Sequence, residues 1–247
     1  MACRIVIADD HPLFRDALRL TIGQTFGEAE IAEADSFDSL QAQLEADAET
    51  DLVLLDLNMP GIRGFSGLLY IRAAFSAAPV AIISANEEPR VMRLALELGA
   101  VGYIPKSAAP GEIRAALAAL LAGGTWLPAA LEPRRAAEDP EAVVVARLAS
   151  LTPQQVRVLM MLSDGLLNKQ IAHALDVTEA TVKAHVSAIL QKLGVDNRTR
   201  AVIVARRLAG DAGAARPDIA FAAGAFDGLA GAPPAATPRP PAPPKDA

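Results

Sequence analysis

Five polar side chains come directly after short apolar stretches that are typical of buried strands. They are Asp9, Asp10, Asp56, Ser84 and Lys106. The apolar stretches cover residues 4–8, 52–55, 80–83 and 102–105. Because the carboxyl ends of parallel strands meet at one edge of an open α/β sheet, and ligands bind at that edge, we expect these side chains to lie close together. The sequence therefore predicts a site built from carboxylates, a hydroxyl and an ammonium group.

Neighbouring carboxylates repel each other unless a cation joins them. Oxygen ligands of this kind suit Mg²⁺, which usually keeps several waters and shares phosphate oxygens. Lys106 and Ser84 can then hold phosphoryl oxygens. A lone aspartate after a strand is usually a turn or cap residue. It is the coincidence of Asp56 with the other polar strand ends that indicates phosphoryl chemistry.

The elements that must position these residues alternate along residues 1–122. Five strands alternate with five helices, which predicts a parallel sheet covered on both faces. The helices are predicted over residues 12–25, 37–46, 67–75 and 89–98, and up to residue 121. Ser36 is placed to cap the second of them. Residues 123–148 mix glycine, proline and charge, as linkers do, and a linker helix can begin within 143–148.

A second, helical module is predicted over residues 149–210. Thr152-Pro153-Gln154-Gln155 is a capping box with proline at the first helical position, and this helix should end near residue 163. A short helix follows over 169–174 with Asn168 as its cap, then a longer helix over 179–193 with Thr178 as its cap, and a last helix covers 199–209. Two helices joined by a three-residue turn fit a helix-turn-helix.

Charge is divided unevenly between the two modules. Residues 1–122 carry nine basic and 17 acidic side chains, a balance of −8, whereas residues 149–210 carry eight basic and four acidic side chains, a balance of +4. A basic module joined to an acidic one is typical of a nucleic-acid-binding protein with a second domain. The single cysteine, Cys3, excludes an intrachain disulfide and fits a reducing cytosol. We expect neither a signal peptide nor a membrane span, and a cytoplasmic location.

Stretches in both modules resemble known families. Residues 8–15, Ala-Asp-Asp-His-Pro-Leu-Phe-Arg, resemble the receiver domains of FixJ/NarL-type two-component response regulators. Residues 165–172 and 181–186, Gly-Leu-Leu-Asn-Lys-Gln-Ile-Ala and Thr-Val-Lys-Ala-His-Val, resemble the LuxR/GerE-type helix-turn-helix. The resemblance implies an α/β, flavodoxin-like (βα)5 receiver domain followed by an all-α four-helix DNA-binding domain.

The receiver resemblance implies that Asp56 accepts a phosphoryl group from a sensor histidine kinase. It implies four ligands of Mg²⁺, namely Asp9, Asp10, Asp56 and the backbone carbonyl of Asn58. It implies a switch hydroxyl, a switch aromatic and an invariant lysine, namely Ser84, Tyr103 and Lys106. Phosphorylation would shift the population of receiver conformations and promote dimerisation or free the DNA-binding surface. His11 is interpreted as a loop and helix-start residue, since an ionised aspartate needs no base.

The helix that begins at Glu179 is expected to enter the major groove. The family resemblance implies base contacts from three residues, Lys183, Ala184 and Ser187. It implies phosphate contacts from five others, Lys169, Thr178, Thr181, His185 and Lys192. His185 can equally well pack against the scaffold helix. Ser107 stands where many receivers have proline, and Gln154-Gln155 stands where the DNA-binding family usually has Arg-Glu, so the cap chemistry survives without an ion pair.

The main hypothesis is a phosphorylation-dependent transcription regulator, with no enzymatic activity beyond self-phosphorylation and slow autodephosphorylation. Its expected partners are a histidine kinase, double-stranded DNA, a second copy of the chain when phosphorylated, and RNA polymerase; no membrane partner is expected. An interaction module that works without phosphate is one alternative, and a metal-assisted hydrolase is another. Residues 211–247, with seven prolines between 233 and 244, are expected to form a disordered tail.

Overall fold

The computed structural model describes residues 3–47, 49–128 and 140–208. The predicted parallel sheet is confirmed, and its strand order is β2-β1-β3-β6-β7. Its strands are β1 (Arg4–Ala8), β2 (Glu30–Ala34), β3 (Leu52–Asp56), β6 (Val80–Ser84) and β7 (Gly102–Pro105). Every pairing within this sheet is parallel, and the register sets Val6 beside Val53 and Leu55 beside Ile82. The carboxyl ends of β1, β3, β6 and β7 therefore lie along one edge.

Helices cover both faces of the sheet, as the alternation of elements predicts. They are α1 (Pro12–Phe26), α2 (Phe37–Ala46), α3 (Ser66–Ala74), α4 (Pro89–Glu97) and α5 (Pro110–Leu121). Successive side chains of a strand point to opposite faces, so Ile5 and Ile7 pack in one buried cluster and Val6 in the other. The first cluster also holds residues of α1 and α5, and the second holds residues of α2, α3 and α4. Each face of the sheet is thus a separate part of the receiver core.

A small hairpin follows Asp56 where the sequence indicated only a turn. It consists of β4 (Asn58–Met59) and β5 (Ile62–Arg63), which pair antiparallel. Gly61 has a φ of +81°, and a Cβ built there would lie 2.7 Å from Cβ of Phe37. The Met-Pro-Gly sequence predicts the reversal, but strands of two residues are too short to leave a periodic pattern.

The second domain contains the predicted helix-turn-helix. Its helices are α6 (Pro140–Ala149), α7 (Pro153–Ser163), α8 (Asn168–Ala174), α9 (Glu179–Leu193) and α10 (Arg198–Leu208). The capping box is present, because the Thr152 side chain accepts from Gln155 N–H and the Gln155 side chain accepts from Thr152 N–H. Thr178 caps α9, which ends at Gly194 in the left-handed conformation. Residues 140–148, which the sequence analysis assigned to the linker, belong to α6, where Val145 and Leu148 are buried.

The predicted cap of α8 is wrong. The helix begins at Asn168, and its N-cap is Leu167, which has no side-chain acceptor. Asn168 Oδ1 instead accepts from Arg198 Nη1 at 3.3 Å, which ties α8 to α10. Gln170 Oε1 accepts the Leu167 N–H at 2.7 Å and supplies half of a capping box. Sequence alone favoured asparagine as the cap, because it carries no sign of the contact with Arg198.

The two domains contact each other through α3 and α7, and Phe37 of α2 adds to this contact. Tyr70 of α3 is buried, and the Arg157 guanidinium of α7 lies 6.0 Å from the centre of the Phe37 ring. Arg63 of β5 forms an ion pair with Asp164, the residue after α7, at 3.2 Å. Among the described residues, no helix combines the length and apolar character that a membrane span requires. The proline-rich stretch within 211–247 lies outside the described residues.

Candidate functional site

The carboxyl edge of the sheet brings the predicted acidic residues and the lysine together. Lys106, directly after β7, places its Nζ 2.8 Å from Asp56 Oδ2 and 2.7 Å from Asp9 Oδ2. Asp56 is the last residue of β3, and Asp9 directly follows β1. Asp9 N–H donates to Ala34 O at 3.0 Å, which continues the β1–β2 ladder into the loop. Regular parallel strands therefore hold the groups, as the sequence analysis expected.

Burial changes the proton affinities of this cluster. Burial is the largest cause that raises the pKa of Asp56 above its ordinary value of 3.8, and the Lys106 hydrogen bond only partly opposes it. Burial would also lower the pKa of Lys106, but the hydrogen bond to Asp56 and the close contact with the Asp9 carboxylate outweigh it and raise that pKa above 10.5. The site therefore favours a charged lysine and resists the charge on Asp56. Its negative charge exceeds what one ammonium neutralises.

The acidic cluster has the donor set of a hard divalent cation. Asp9, Asp10 and Asp56 each offer a carboxylate oxygen, and these atoms and a nitrogen of His11 all lie within 4.8 Å of one another. Asp9 Oδ2 and Asp10 Oδ1 are buried and accept no well-directed hydrogen bond, although Lys106 Nζ and His11 Nδ1 lie 2.7 Å and 2.8 Å from them. Carboxylates with free acceptor capacity fit an oxygen-ligated ion. Asn58 is exposed, and its backbone N–H bonds to Asp56 and favours the charged carboxylate.

Two further residues, His11 of the loop after β1 and Arg15 of α1, belong to the site, although the sequence did not assign them a part in it. His11 N–H donates to Asp9 Oδ1 at 2.9 Å, and its ring Nδ1 lies 3.2 Å from the same oxygen. Arg15 Nη1 donates to the backbone oxygen of Asp9 at 2.6 Å. The sequence could have indicated that His11 belongs to the site, because His11 directly follows Asp9-Asp10. For Arg15 the only signal was its position one helical turn into α1, on the side of the acidic pair.

The predicted switch pair lies beside the acidic cluster. Tyr103 is fully buried, and its hydroxyl donates to Asn86 O at 2.5 Å. Burial is the main cause that raises the pKa of Tyr103 to about 12, while a hydrogen bond with Ser84 opposes the rise. Ser84 is buried and its Oγ accepts Asn86 N–H at 3.2 Å. The aromatic ring therefore occupies an inward position, in contact with the hydroxyl.

The chain around Lys106 is regular in spite of the unusual Pro105 and Ser107. Lys106 N–H donates to Ser84 O at 2.8 Å, so the β6–β7 ladder continues to the lysine. Ser107 Oγ donates to Glu87 Oε1 at 2.5 Å and links the two loops beside the site. The lysine Nζ also lies 5.1 Å from the centre of the Phe14 ring. These contacts fix the direction of the lysine side chain toward Asp56.

In the second domain, most of the predicted DNA contacts form an exposed surface. The exposed residues are Lys169, Thr178, Thr181, Lys183, Ala184 and Ser187. Lys183 Nζ pairs with Glu179 at 3.0 Å across one turn of α9. His185 is half-buried, between the two interpretations that the sequence left open. Val182, Ile189 and Leu193 are buried and hold α9 in the domain core.

Lys192 differs from the other predicted phosphate contacts. Its Nζ donates to Ser150 O at 2.7 Å and to Gln155 Oε1 at 2.8 Å. The structure thus places this ammonium as a tie between the end of α9 and the start of α7. Gln155, which stands where the family usually has glutamate, supplies a neutral acceptor in place of a carboxylate.

Comparisons with known proteins agree with this two-domain architecture. The model of the response regulator receiver domain matches residues 5–118, and the model of bacterial regulatory proteins of the luxR family matches residues 149–205. The glycerol metabolism activator of Pseudomonas putida is 40% identical over 208 residues, which cover 82% of this chain and 94% of that protein. The nitrate/nitrite response regulator protein NarL of Escherichia coli K12 is 33% identical over 81% of this chain and 93% of its own length.

A solved structure shows the same fold. The structure of two RcsB dimers bound to two parallel DNAs superposes with a TM-score of 0.50 at 24% identity and covers 83% of this chain and 98% of that one. The sequence relatives, the matched domain models and their order along the chain agree. The chain therefore belongs to the FixJ/NarL family of response regulators, in which a receiver domain regulates a LuxR-type DNA-binding domain in the control of transcription.

Proposed function

We propose that Asp56 is the phosphoacceptor of this response regulator and that a sensor histidine kinase supplies the phosphoryl group. The observation that carries the proposal is the contact of Lys106 Nζ with Asp56 Oδ2 at 2.8 Å in a cluster of buried carboxylates. An Asp56 oxygen forms a bond to phosphorus while the bond from phosphorus to the kinase histidine breaks. The imidazole leaves with the electron pair of that bond, and Lys106 offsets charge on the phosphoryl oxygens.

Asp9, Asp10 and Asp56, with the backbone carbonyl of Asn58, would hold Mg²⁺ at this site. The bound ion supplies positive charge to the phosphoryl oxygens. Asp9 and Asp10 do not react; they bind and orient. His11 keeps Asp9 in place through its backbone N–H and is not required as a base, since the acceptor is an ionised carboxylate. Water later hydrolyses the acyl phosphate, which makes autodephosphorylation the only turnover expected.

Phosphorylation acts by shifting a conformational equilibrium. Ser84 Oγ turns from Asn86 N–H toward the phosphoryl group, and the inward position of Tyr103 is the one compatible with that move. A population shift of this kind needs a phosphoryl group that interacts differently with the two states. The shift promotes pairing of two copies of the chain, and the paired α9 helices read double-stranded DNA and act on transcription by RNA polymerase in the cytoplasm.

Labelling with acetyl phosphate tests the phosphoacceptor. In the presence of Mg²⁺, intact-mass spectrometry should find one phosphate on the wild type and none on Asp56→Asn. Asp16→Asn is the matched control, because Asp16 is an exposed aspartate of α1 outside the cluster. Equal labelling of Asp56→Asn and the wild type would eliminate this acceptor. A phosphorylated sample that binds DNA no better than the unphosphorylated one would favour an interaction module that works without phosphate.

A further inference from the structure

Arg15 donates a hydrogen bond to the backbone of the loop that carries Asp9 and Asp10. Its Nη1 donates to the Asp9 carbonyl at 2.6 Å, and its Nε donates to Glu33 Oε2 at 2.9 Å. The Arg15 side chain is 16% exposed, and that of Glu33 is 33% exposed. Both hydrogen bonds have a charged donor and lie in a partly buried place, and the one to Glu33 joins two charged groups; charge-assisted bonds of this kind are short and strong. The guanidinium therefore bridges the exit of β1 and the edge strand β2.

The Asp9 carbonyl belongs to the planar peptide group that joins Asp9 to Asp10. Asp9 N–H is already held by Ala34 O at 3.0 Å, so the bond from Arg15 fixes the second side of the Asp9 backbone. Once that peptide plane is fixed, the position of the Asp10 Cα is fixed with it. The guanidinium thus helps to set the distance and the relative placement from which the two carboxylates face each other.

Glu33 orients Arg15 and also balances its charge. Since the ion pair at 2.9 Å neutralises the guanidinium, Arg15 acts on the acidic pair by geometry more than by its field. Arg19 provides an internal comparison. It lies one helical turn further along α1 and approaches the same Glu33 at 3.6 Å, but its other partner is Asp16.

We infer that Arg15, oriented by Glu33, is a positioning residue for the cation-binding pair Asp9 and Asp10. The inference rests on the proposed Mg²⁺ site and adds a residue that does not touch the ion. Groups that orient metal ligands typically change metal affinity 10- to 100-fold when they are removed. A residue that only stabilises the fold would lower the melting temperature without a selective effect on Mg²⁺.

Calorimetric titration of the full chain with Mg²⁺ provides the test. Arg15→Gln should raise the Mg²⁺ dissociation constant about tenfold. Arg15→Lys should give an intermediate value, because one ammonium can reach the carbonyl or Glu33 but not both in the same geometry. Arg19→Gln is the matched control and should leave the constant unchanged. Thermal unfolding of each variant without Mg²⁺ establishes that it is folded.

A second measurement separates positioning from chemistry. With acetyl phosphate as donor, Arg15→Gln should shift the Mg²⁺ concentration for half-maximal phosphorylation about tenfold, with a smaller change in the maximal rate. Glu33→Gln should shift it in the same direction, and this variant keeps the test decisive should Arg15→Gln fail to fold. Mg²⁺ constants for Arg15→Gln and Glu33→Gln equal to that of Arg19→Gln would overturn the inference. If Asp10→Asn also binds Mg²⁺ like the wild type, the proposed metal site itself fails, which is a different result.

Discussion

Replacement of Lys106 by methionine probes the electrostatic balance of the site. Methionine keeps the length of the side chain and a favourable contact with the Phe14 ring, but it removes the charge that lies 2.7 Å from Asp9 and 2.8 Å from Asp56. At an effective dielectric constant of about 20, Coulomb's law gives roughly 6 kcal/mol for each contact. Desolvation offsets much of this, and removal of one partner from a buried ion pair typically costs about 3–5 kcal/mol. Because the Lys106 side chain is 15% exposed, we expect a loss near the lower end, about 3 kcal/mol.

Mg²⁺ should restore much of that loss. The divalent ion returns positive charge to the same carboxylates and no longer competes with an ammonium group, so the variant should bind Mg²⁺ more tightly than the wild type. At a concentration 100 times its dissociation constant, a ligand adds about 2.7 kcal/mol to the stability of the folded state. The difference between the two proteins should therefore be largest without Mg²⁺ and should shrink as Mg²⁺ is added.

Trp126 gives a readout specific to the receiver domain. It is the single tryptophan of the chain, and its backbone N–H donates to Val101 O at 3.2 Å. Its side chain packs on the buried cluster between the sheet, α1 and α5. Its fluorescence during urea unfolding therefore follows the domain that contains Lys106. Lys192→Met is the control, since Lys192 also donates to two oxygens, but both are neutral and lie in the second domain. A loss for Lys106→Met that is the same with and without Mg²⁺ would refute the electrostatic reasoning.

Four further predictions test other parts of the structure. Leu167→Ser should stabilise the second domain by about 1 kcal/mol, because serine can cap α8 where the exposed leucine cannot. Calorimetric unfolding measures the change, and Leu167→Ala, which removes the leucine without adding a cap, is the control. A double-mutant cycle on Arg63 and Asp164 should give a coupling energy of about 0.2–1 kcal/mol that decreases in high salt, because the two side chains are 73% and 39% exposed. A coupling energy that is unaffected by salt would contradict an ion pair between solvated groups. Lys183→Ala should relax base preference in a binding selection at a cost of about 1–3 kcal/mol on the preferred sequence, whereas an equal loss on all sequences would assign the lysine to phosphate. Asp56→Asn should be more stable than the wild type at neutral pH without metal, and the difference should disappear below pH 3.8; a wild type that gains stability relative to Asp56→Asn as the pH rises from 3.8 would show that the sign is wrong.

The pH prediction for Asp56 follows from the direction of its pKa shift. A carboxyl whose pKa is higher in the folded state binds more protons there than in the unfolded chain. Its contribution to stability is therefore fully present below the unfolded value of 3.8 and is lost as the pH rises through the folded pKa. Asparagine mimics the neutral form at every pH, so only the wild type should show this loss. Urea unfolding between pH 3 and 8, followed by Trp126 fluorescence, measures it.

The receiver fold was predictable because its signals are local. Each buried strand is a continuous apolar run, and Asp9, Asp56, Ser84 and Lys106 follow such runs directly. Parallel strands bring their carboxyl ends together whatever the details of packing. The DNA-binding domain was predictable for a related reason, because Thr152 and Thr178 mark helix starts in the sequence and cap those helices in the structure.

The features that sequence did not reveal are contacts between distant elements. Asn168 is a good cap by type, yet Arg198, 30 residues further along the chain, takes its oxygen and leaves the cap position to Leu167. Lys192 has the charge of a phosphate contact, but its partners Ser150 and Gln155 lie about 40 residues earlier in the chain. The sequence alone does not rank a side chain's competing partners, since that order depends on packing.

The lysine and the phosphoacceptor together provide a sharper test of the site than either alone. Asp56→Asn removes one negative charge and Lys106→Met removes one positive charge, so an electrostatic account requires opposite effects on metal-free stability. Both replacements keep the approximate volume of the original side chain, and both residues are mostly buried, so an account based on packing alone predicts only small losses, of the same sign, in both. Burial is the main cause that raises the pKa of Asp56, and the charge of Asp9 adds to it, while the neighbouring Asp56 and Asp9 carboxylates raise the pKa of Lys106. If both variants lose stability, the excess charge does not control this edge of the sheet, and the electrostatic reason for it to attract a divalent ion fails as well.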